Sequence, residues 1–117
     1  MLTDSHSRPW GFYRVLSVGA GWWVKLLVIN PRQRLSLQSH EGRDEDWTVI
    51  QGEGIAEIVG KGRFVLSRGH SVYIRHGERH RLTNLWGWTM TVVEVATGDC
   101  REEDIVRYDD DYGRVYQ

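Results

Sequence analysis

Apolar and polar residues alternate along most of this chain in short runs, and nowhere does a long stretch repeat apolar residues at three-and-four spacing. Alternation with a period of two is the signature of strands with one face buried. It predicts strands over Phe12–Val18, Trp22–Ile29, Arg34–His40, Trp47–Gln51, Gly54–Val59, Phe64–Leu66, Ser71–Arg75, His80–Leu85 and Thr89–Thr97. Between them stand "GAG" at 19, "NPRQ" at 30, "GKG" at 60, "SRGH" at 67 and "HGER" at 76, all turn-forming segments. Many short strands at this spacing imply an all-β domain, a sandwich or barrel, for which a jelly roll is a natural closure. The expectation is one domain over 1–117, with a barrel over about 10–97. The acidic, tyrosine-bearing tail 98–117 would pack on its outside through Ile105, Val106, Tyr108 and Tyr112.

Composition narrows the function classes. At 117 residues there is room for one core. Fifteen basic and sixteen acidic residues leave a net charge of −1, so no overall charge draws the chain to nucleic acid. Cys100 is the lone cysteine, which excludes an intrachain disulfide and a cysteine-built zinc site. No apolar run approaches the roughly 18 residues of a membrane helix. These features together suggest a soluble, cytoplasmic protein. Six tryptophans are many for this length, and Trp22, Trp23, Trp86 and Trp88 are expected to fill the core.

Candidate chemistry concentrates in two segments. In "GHSVYIRHGERHRLTN", residues 69–84, His80 and Asn84 share a strand face. In "RLSLQSHEGRDEDWTVIQG", residues 34–52, Gln38 and His40 share one too, and Glu45 follows five residues on. A divalent ion needs several nitrogen and oxygen donors converging from different strands, and imidazole with carboxylate suits zinc, manganese or iron. Gln38, His40 and Glu45 could supply three donors and His80 a fourth.

The spacing of Gly69, Gly77, His80 and Asn84, with His40, Glu45 and Gly52, resembles the two motifs of the cupin superfamily. Arg75 replaces a proline of the second motif. Gln38 and Arg32 replace a histidine and a glycine of the first. More narrowly, "RPWGFYRVL" at 8, "SLQSHEGRDEDW" at 36, "SVYIRHGERHRLTN" at 71 and "EEDIVRYDDDYGR" at 102 resemble, in order, the C-terminal cupin domain of type II phosphomannose isomerases. The resemblance covers about residues 8 to 114.

It implies a cupin barrel that interconverts mannose 6-phosphate and fructose 6-phosphate with a bound divalent metal, usually zinc, held by Gln38, His40, Glu45 and His80. Arg43, Arg107 and Arg114 fall on family arginines. They are candidates to bind the sugar phosphate, since a guanidinium fork matches phosphate, with Arg43 and Arg114 also at the reacting centre. Asp46 is a candidate base. Glu41, Gly42 and Asp46 stand where the family has histidines, and Asp44 or Asp46 could replace Glu45 if the loop shifts by one residue. Two alternatives stay open: a sugar- or effector-binding cupin without catalysis, and a small cupin enzyme with another substrate. A homodimer is expected by analogy with small cupins, with no nucleic-acid or membrane partner.

Overall fold

The computed structural model describes residues 5–115. They form eleven strands and, among the described residues, no helix. In chain order these are β1 (Ser5–Arg8), β2 (Gly11–Gly19), β3 (Trp22–Ile29), β4 (Leu37–Ser39), β5 (Arg43–Gln51), β6 (Glu53–Ile58), β7 (Gly62–Ser67), β8 (Ser71–Ile74), β9 (His80–Asn84), β10 (Met90–Gly98) and β11 (Val106–Asp109). Six build one sheet, in the spatial order β1-β2-β3-β10-β5-β8. The other five build a second, in the order β11-β4-β9-β6-β7. The fold is the all-β barrel expected from the alternation, with the double-stranded β-helix form that the resemblance implies.

Inward-facing residues divide the interior into two zones. Along β3, β5 and β10 every second residue is buried. Register sets Val92 of β10 between Leu27 of β3 and Val49 of β5. With Ile29, Trp47, Ile58, Leu66, Leu82 and Met90 these form an apolar core shared by both sheets. Burying such a side chain contributes about 1.5–3 kcal/mol. Towards the other end of the same three strands the inward residues become Lys25, Arg43, Glu45 and Glu94, all buried. One half of the barrel is therefore core, and the other is a charged interior.

Several expectations are corrected. β5 begins at Arg43, not Trp47, because the charges of "RDED" that read as loop are paired inside the barrel or turned outward. The strand expected over Arg34–His40 is only Leu37–Ser39, with Arg34 bridging Thr83 alone. Residues Ser5–Arg8, outside the predicted strands, pair with Gly11–Arg14. In the tail, β11 joins the second sheet as its edge, opposite β4. There Arg81 donates to the Asp109 carbonyl at 2.9 Å and the Ser39 and Tyr108 hydroxyls meet at 2.8 Å. Trp23 is core as expected, whereas Trp88 is 69% exposed and Trp22 and Trp86 are partly so. Trp86 and Trp88 lie in the turn after β9 that Asn84 clamps, its amide donating to the carbonyls of Ile29, Asn30 and Trp88 and accepting from Trp86. The motif asparagine thus serves the scaffold.

Arg32, in the position of the missing motif glycine, has φ of 62°. It follows Pro31 in a turn closed by the Gln33 amide on the Asn30 carbonyl at 3.1 Å. Proline followed by a left-handed residue is the pattern of a type II turn, whose third position favours glycine. A side chain there costs about 1–2 kcal/mol, partly offset because glycine makes the unfolded chain more flexible. Arg32→Gly should therefore stabilise the protein by up to about 1 kcal/mol, read from urea denaturation midpoints at unchanged m-value. A destabilised variant would show that the Arg32 side chain makes a contact worth more than the strain.

Candidate metal centre

Three strands bring the expected donors together. His40 follows β4, Glu45 lies on β5 and His80 opens β9, and all three are buried. One donor atom from each lies within 4.8 Å of the others. His40 Nε2 stands 3.4 Å from Glu45 Oε2, and His80 Nε2 stands 3.6 Å from Glu45 Oε1. Donors at about 2.1 Å around a tetrahedral zinc are about 3.4 Å apart, so this spacing fits one ion. Gln38 pairs in register with His80. Its amide nitrogen is turned to Ser36, 3.2 Å from the hydroxyl, so the candidate donor on this residue is the amide oxygen.

Both imidazoles are oriented by a backbone carbonyl. His40 Nδ1 donates to the Asp104 carbonyl and His80 Nδ1 to that of Glu78, each at 2.8 Å. A carbonyl only accepts, so Nδ1 carries the proton and Nε2 carries the lone pair facing Glu45. This is the arrangement of metal-ligating histidines. His80 Nε2 is buried and lacks a hydrogen-bond partner, an orphan that a cation at the centre would satisfy. Burial pulls the His40 pKa down to about 4, so the ring is neutral and able to ligate near pH 7. Burial alone would raise the Glu45 carboxyl; with both imidazoles presenting lone pairs, the Arg43 guanidinium bonded to it at 2.9 Å is the charge that keeps it a carboxylate.

The remaining expected residues are distributed differently. Arg43 is buried beside the triad, donating through Nε to Glu45 at 2.9 Å and through a terminal nitrogen to the Arg101 carbonyl at 2.8 Å, with the other 3.4 Å from His40 Nε2. It positions the carboxylate and ties the tail. Asp46, the expected base, is turned away from the interior by the same alternation that buries Glu45, and accepts from Thr48 at 3.2 Å. Asp44 likewise faces outward, towards Tyr73 and His76, so the shifted-loop alternatives do not apply. Glu41 is exposed, and the amides of Glu41 and Gly42 are capped by the Asp104 carboxylate. Arg75 is exposed, and its amide donates to Glu78 at 2.8 Å, a bond the motif proline could not make.

Beside the centre lies a cavity of about 150 Å³. Gln38, Arg43 and Glu45 line it together with Arg107 and Arg114, and so do Arg8, Lys25, Glu94 and Glu102, which sequence reading missed. Arg114 grips Asp110 with two nitrogens at 2.9 Å each. Glu94 accepts from the indoles of Trp23 at 2.8 Å and Trp47 at 3.1 Å, and burial, reinforced by Glu45, lifts its pKa to about 7. The available signal was parity: Lys25 and Glu94 are single charges at inward positions of strands that are otherwise apolar there.

The fold and this donor set define a cupin of the metal-binding type. Residues 2–110 match the family described as mannose-6-phosphate isomerase C-terminal, and the chain belongs to that family. It is 39% identical over 110 residues to the xanthan biosynthesis protein XanB of Xanthomonas campestris, covering 92% of this chain and 23% of that protein. It is 38% identical over 109 residues to the mannose-1-phosphate guanylyltransferase ManC of Salmonella typhimurium, covering 92% and 22%. The chain thus spans less than a quarter of the curated relatives it matches. Among solved structures, the capsular polysaccharide assembling protein CapF of Staphylococcus aureus shares the fold. Its TM-score is 0.77 at 16% identity, over 86% of this chain and 31% of that one. Among the described residues no helix is long and apolar enough to cross a membrane.

Two measurements follow from this geometry. Protein purified without chelator should carry about one divalent ion per chain by elemental analysis, and His80→Ala should lose it. Restoring metal at 100 times its dissociation constant should stabilise the apo form by about 2.7 kcal/mol. Separately, Arg114 holds the Asp110 carboxyl below the usual carboxylate range, first by its side-chain hydrogen bonds. A depressed folded-state pKa adds stability that is present above the unfolded value and lost as pH falls through the folded one. Melting temperature should therefore drop more steeply below about pH 4 in the parent than in Asp110→Asn.

Proposed function

We propose that this chain is a metal-dependent sugar-phosphate isomerase unit, interconverting mannose 6-phosphate and fructose 6-phosphate. The observation that carries this reading is the convergence of His40, Glu45 and His80, lone pairs inward, beside a cavity with five cationic side chains in its wall. Family membership supports the same substrate class.

In this reading Gln38, His40, Glu45 and His80 hold the ion, and their nitrogen and oxygen donors suit zinc. When bound, it supplies Lewis acidity to a sugar oxygen on which negative charge develops. The chain's own residues do the rest. Arg43 keeps Glu45 ionised and fixed. Arg107 and Arg114 place positive charge along the cavity wall, where a phosphate is held. Aldose–ketose exchange moves a proton between neighbouring carbons and requires a base. Asp46 faces outward, Glu45 belongs to the metal set and Glu102 is paired with Lys25. Glu94 is then the cavity carboxylate that takes the proton, held in place by two indole N–H groups.

A second reading rests on Arg43. Its guanidinium lies against both Glu45 and His40, a contact that would hold the triad together without an ion. That favours a sugar-phosphate-binding cupin without turnover. One experiment separates the two: zinc- and manganese-loaded protein is assayed for fructose 6-phosphate formation from mannose 6-phosphate, beside a thermal shift with the same sugar. The isomerase should turn over, lose activity on chelation and lose it in His80→Ala. A raised melting temperature without turnover would establish the binding protein. Neither effect would remove sugar phosphate as the ligand.

A further inference from the structure

Lys25 is a buried charge that the reaction outlined above leaves without a role. It projects inward from β3, and its side chain is 5% exposed. The ammonium lies over the rings of Trp23 at 3.8 Å and Tyr13 at 4.3 Å. Its anionic partner is Glu102, which comes from the turn after β10 and is 54% exposed. Burying an ammonium is costly unless an anion meets it. The aromatic faces soften that cost but do not replace a counter-ion. Glu94 lies opposite Lys25 in register on β10 but its oxygens accept from the Trp23 and Trp47 indoles, so the anion in direct contact with Lys25 is the one on a surface turn with water on its other side.

Two of the cavity's other cations differ in this respect: Arg43 is bonded to Glu45 and to tail carbonyls, and Arg114 to Asp110, while Arg8 donates to the Ser7 carbonyl and the Tyr13 hydroxyl. Counted over the cavity wall, five cations face three carboxylates, and removing Glu102 leaves five against two. The volume points the same way. About 150 Å³ is small beside the roughly 300–1,000 Å³ of ordinary ligand pockets, and Glu102 and Ile105 of one tail segment form part of the wall. An outward rotation of the Glu102 side chain would uncover Lys25 and widen the cavity, while the Arg101 and Asp104 carbonyls stay on Arg43 and His40.

We propose that Lys25 anchors the anionic group of the ligand, a phosphate monoester dianion, and that Glu102 is a tethered carboxylate that occupies Lys25 until the dianion displaces it. The choice of phosphate rests on the sugar-phosphate reading. The device itself favours a dianion, because a tethered carboxylate competes at an effective concentration of order millimolar. A free monoanion of the same chemistry gains little by replacing it, whereas a phosphate brings a second charge and more acceptor oxygens to an ammonium with three donors.

Isothermal titration of the full chain with inorganic phosphate tests this. If Glu102 covers Lys25 about nine-tenths of the time, Glu102→Gln should tighten phosphate binding about tenfold. Lys25→Met should weaken binding at least tenfold, and Lys25→Met with Glu102→Gln should show no gain over Lys25→Met alone. Circular dichroism and melting temperature report whether each variant is folded. Should Lys25→Met fail to fold, the exposed Glu102→Gln change decides alone. Unchanged or weaker phosphate binding in Glu102→Gln overturns the proposal, as does parent-like binding in folded Lys25→Met. Inorganic phosphate needs neither sugar nor turnover, so the two readings fail separately. The Glu102→Gln gain without any mannose 6-phosphate binding would overturn the sugar phosphate and keep the anchor. Isomerase turnover with unaltered phosphate affinity in Glu102→Gln would do the reverse.

Discussion

A carboxylate taken out of water must be met by donors or by a cation, and in this protein that carboxylate is Glu45. Its place on β5 points it into a barrel whose neighbouring inward residues are Trp47 and Val49. Arg43, two residues earlier on the same face, meets it first. Arg43 is itself buried, so its remaining N–H groups need acceptors, and they find the carbonyls of Arg101 and Asp104 in the tail. His40 has the same need and is met by the same Asp104 carbonyl. One buried charge thus fixes a chain of dependencies running from the middle of β5 to the C-terminal segment. The tail is part of the site as much as an edge of the sheet.

Burial of Glu45 also explains why departures from the family pattern leave the centre standing. Glu41 and Gly42, where the family carries histidines, lie in a turn capped by the Asp104 carboxylate. That turn is anchored by its backbone, so its side chains are free to differ. At 75 the proline's constraint is replaced by a different one: the Arg75 amide is held by Glu78, whose own carbonyl orients His80.

Much of the fold was legible because alternation is a direct consequence of one buried face. The convergence of His40, Glu45 and His80 was legible because their spacing is unusual and their chemistry specific. The rest was hidden for identifiable reasons. "RDED" reads as loop by composition, since the sequence does not show that Arg43 and Glu45 pair with each other while Asp44 and Asp46 face out. Asp46 seemed a plausible base until strand parity placed it on the outer face. Lys25 and Glu94 were passed over as isolated charges in apolar strands, although an inward charge in a central strand is the feature that most needs explaining. β11 was unreadable because its pairing depends on Arg81 and Ser39, far away in sequence.

The distance along the chain between Asp104 and its partners has a meaning in time. His40 and Asp104 are 64 residues apart, and chains fold as they are made, earlier residues first. Strands carrying every donor of the centre leave the ribosome before residues 101–109, which orient His40 directly and Glu45 through Arg43. Until that last segment docks, His40 lacks its orienting carbonyl and Arg43 its acceptors. The barrel is thus scaffold before it is site, and competence to hold a ligand arrives only once that segment has docked.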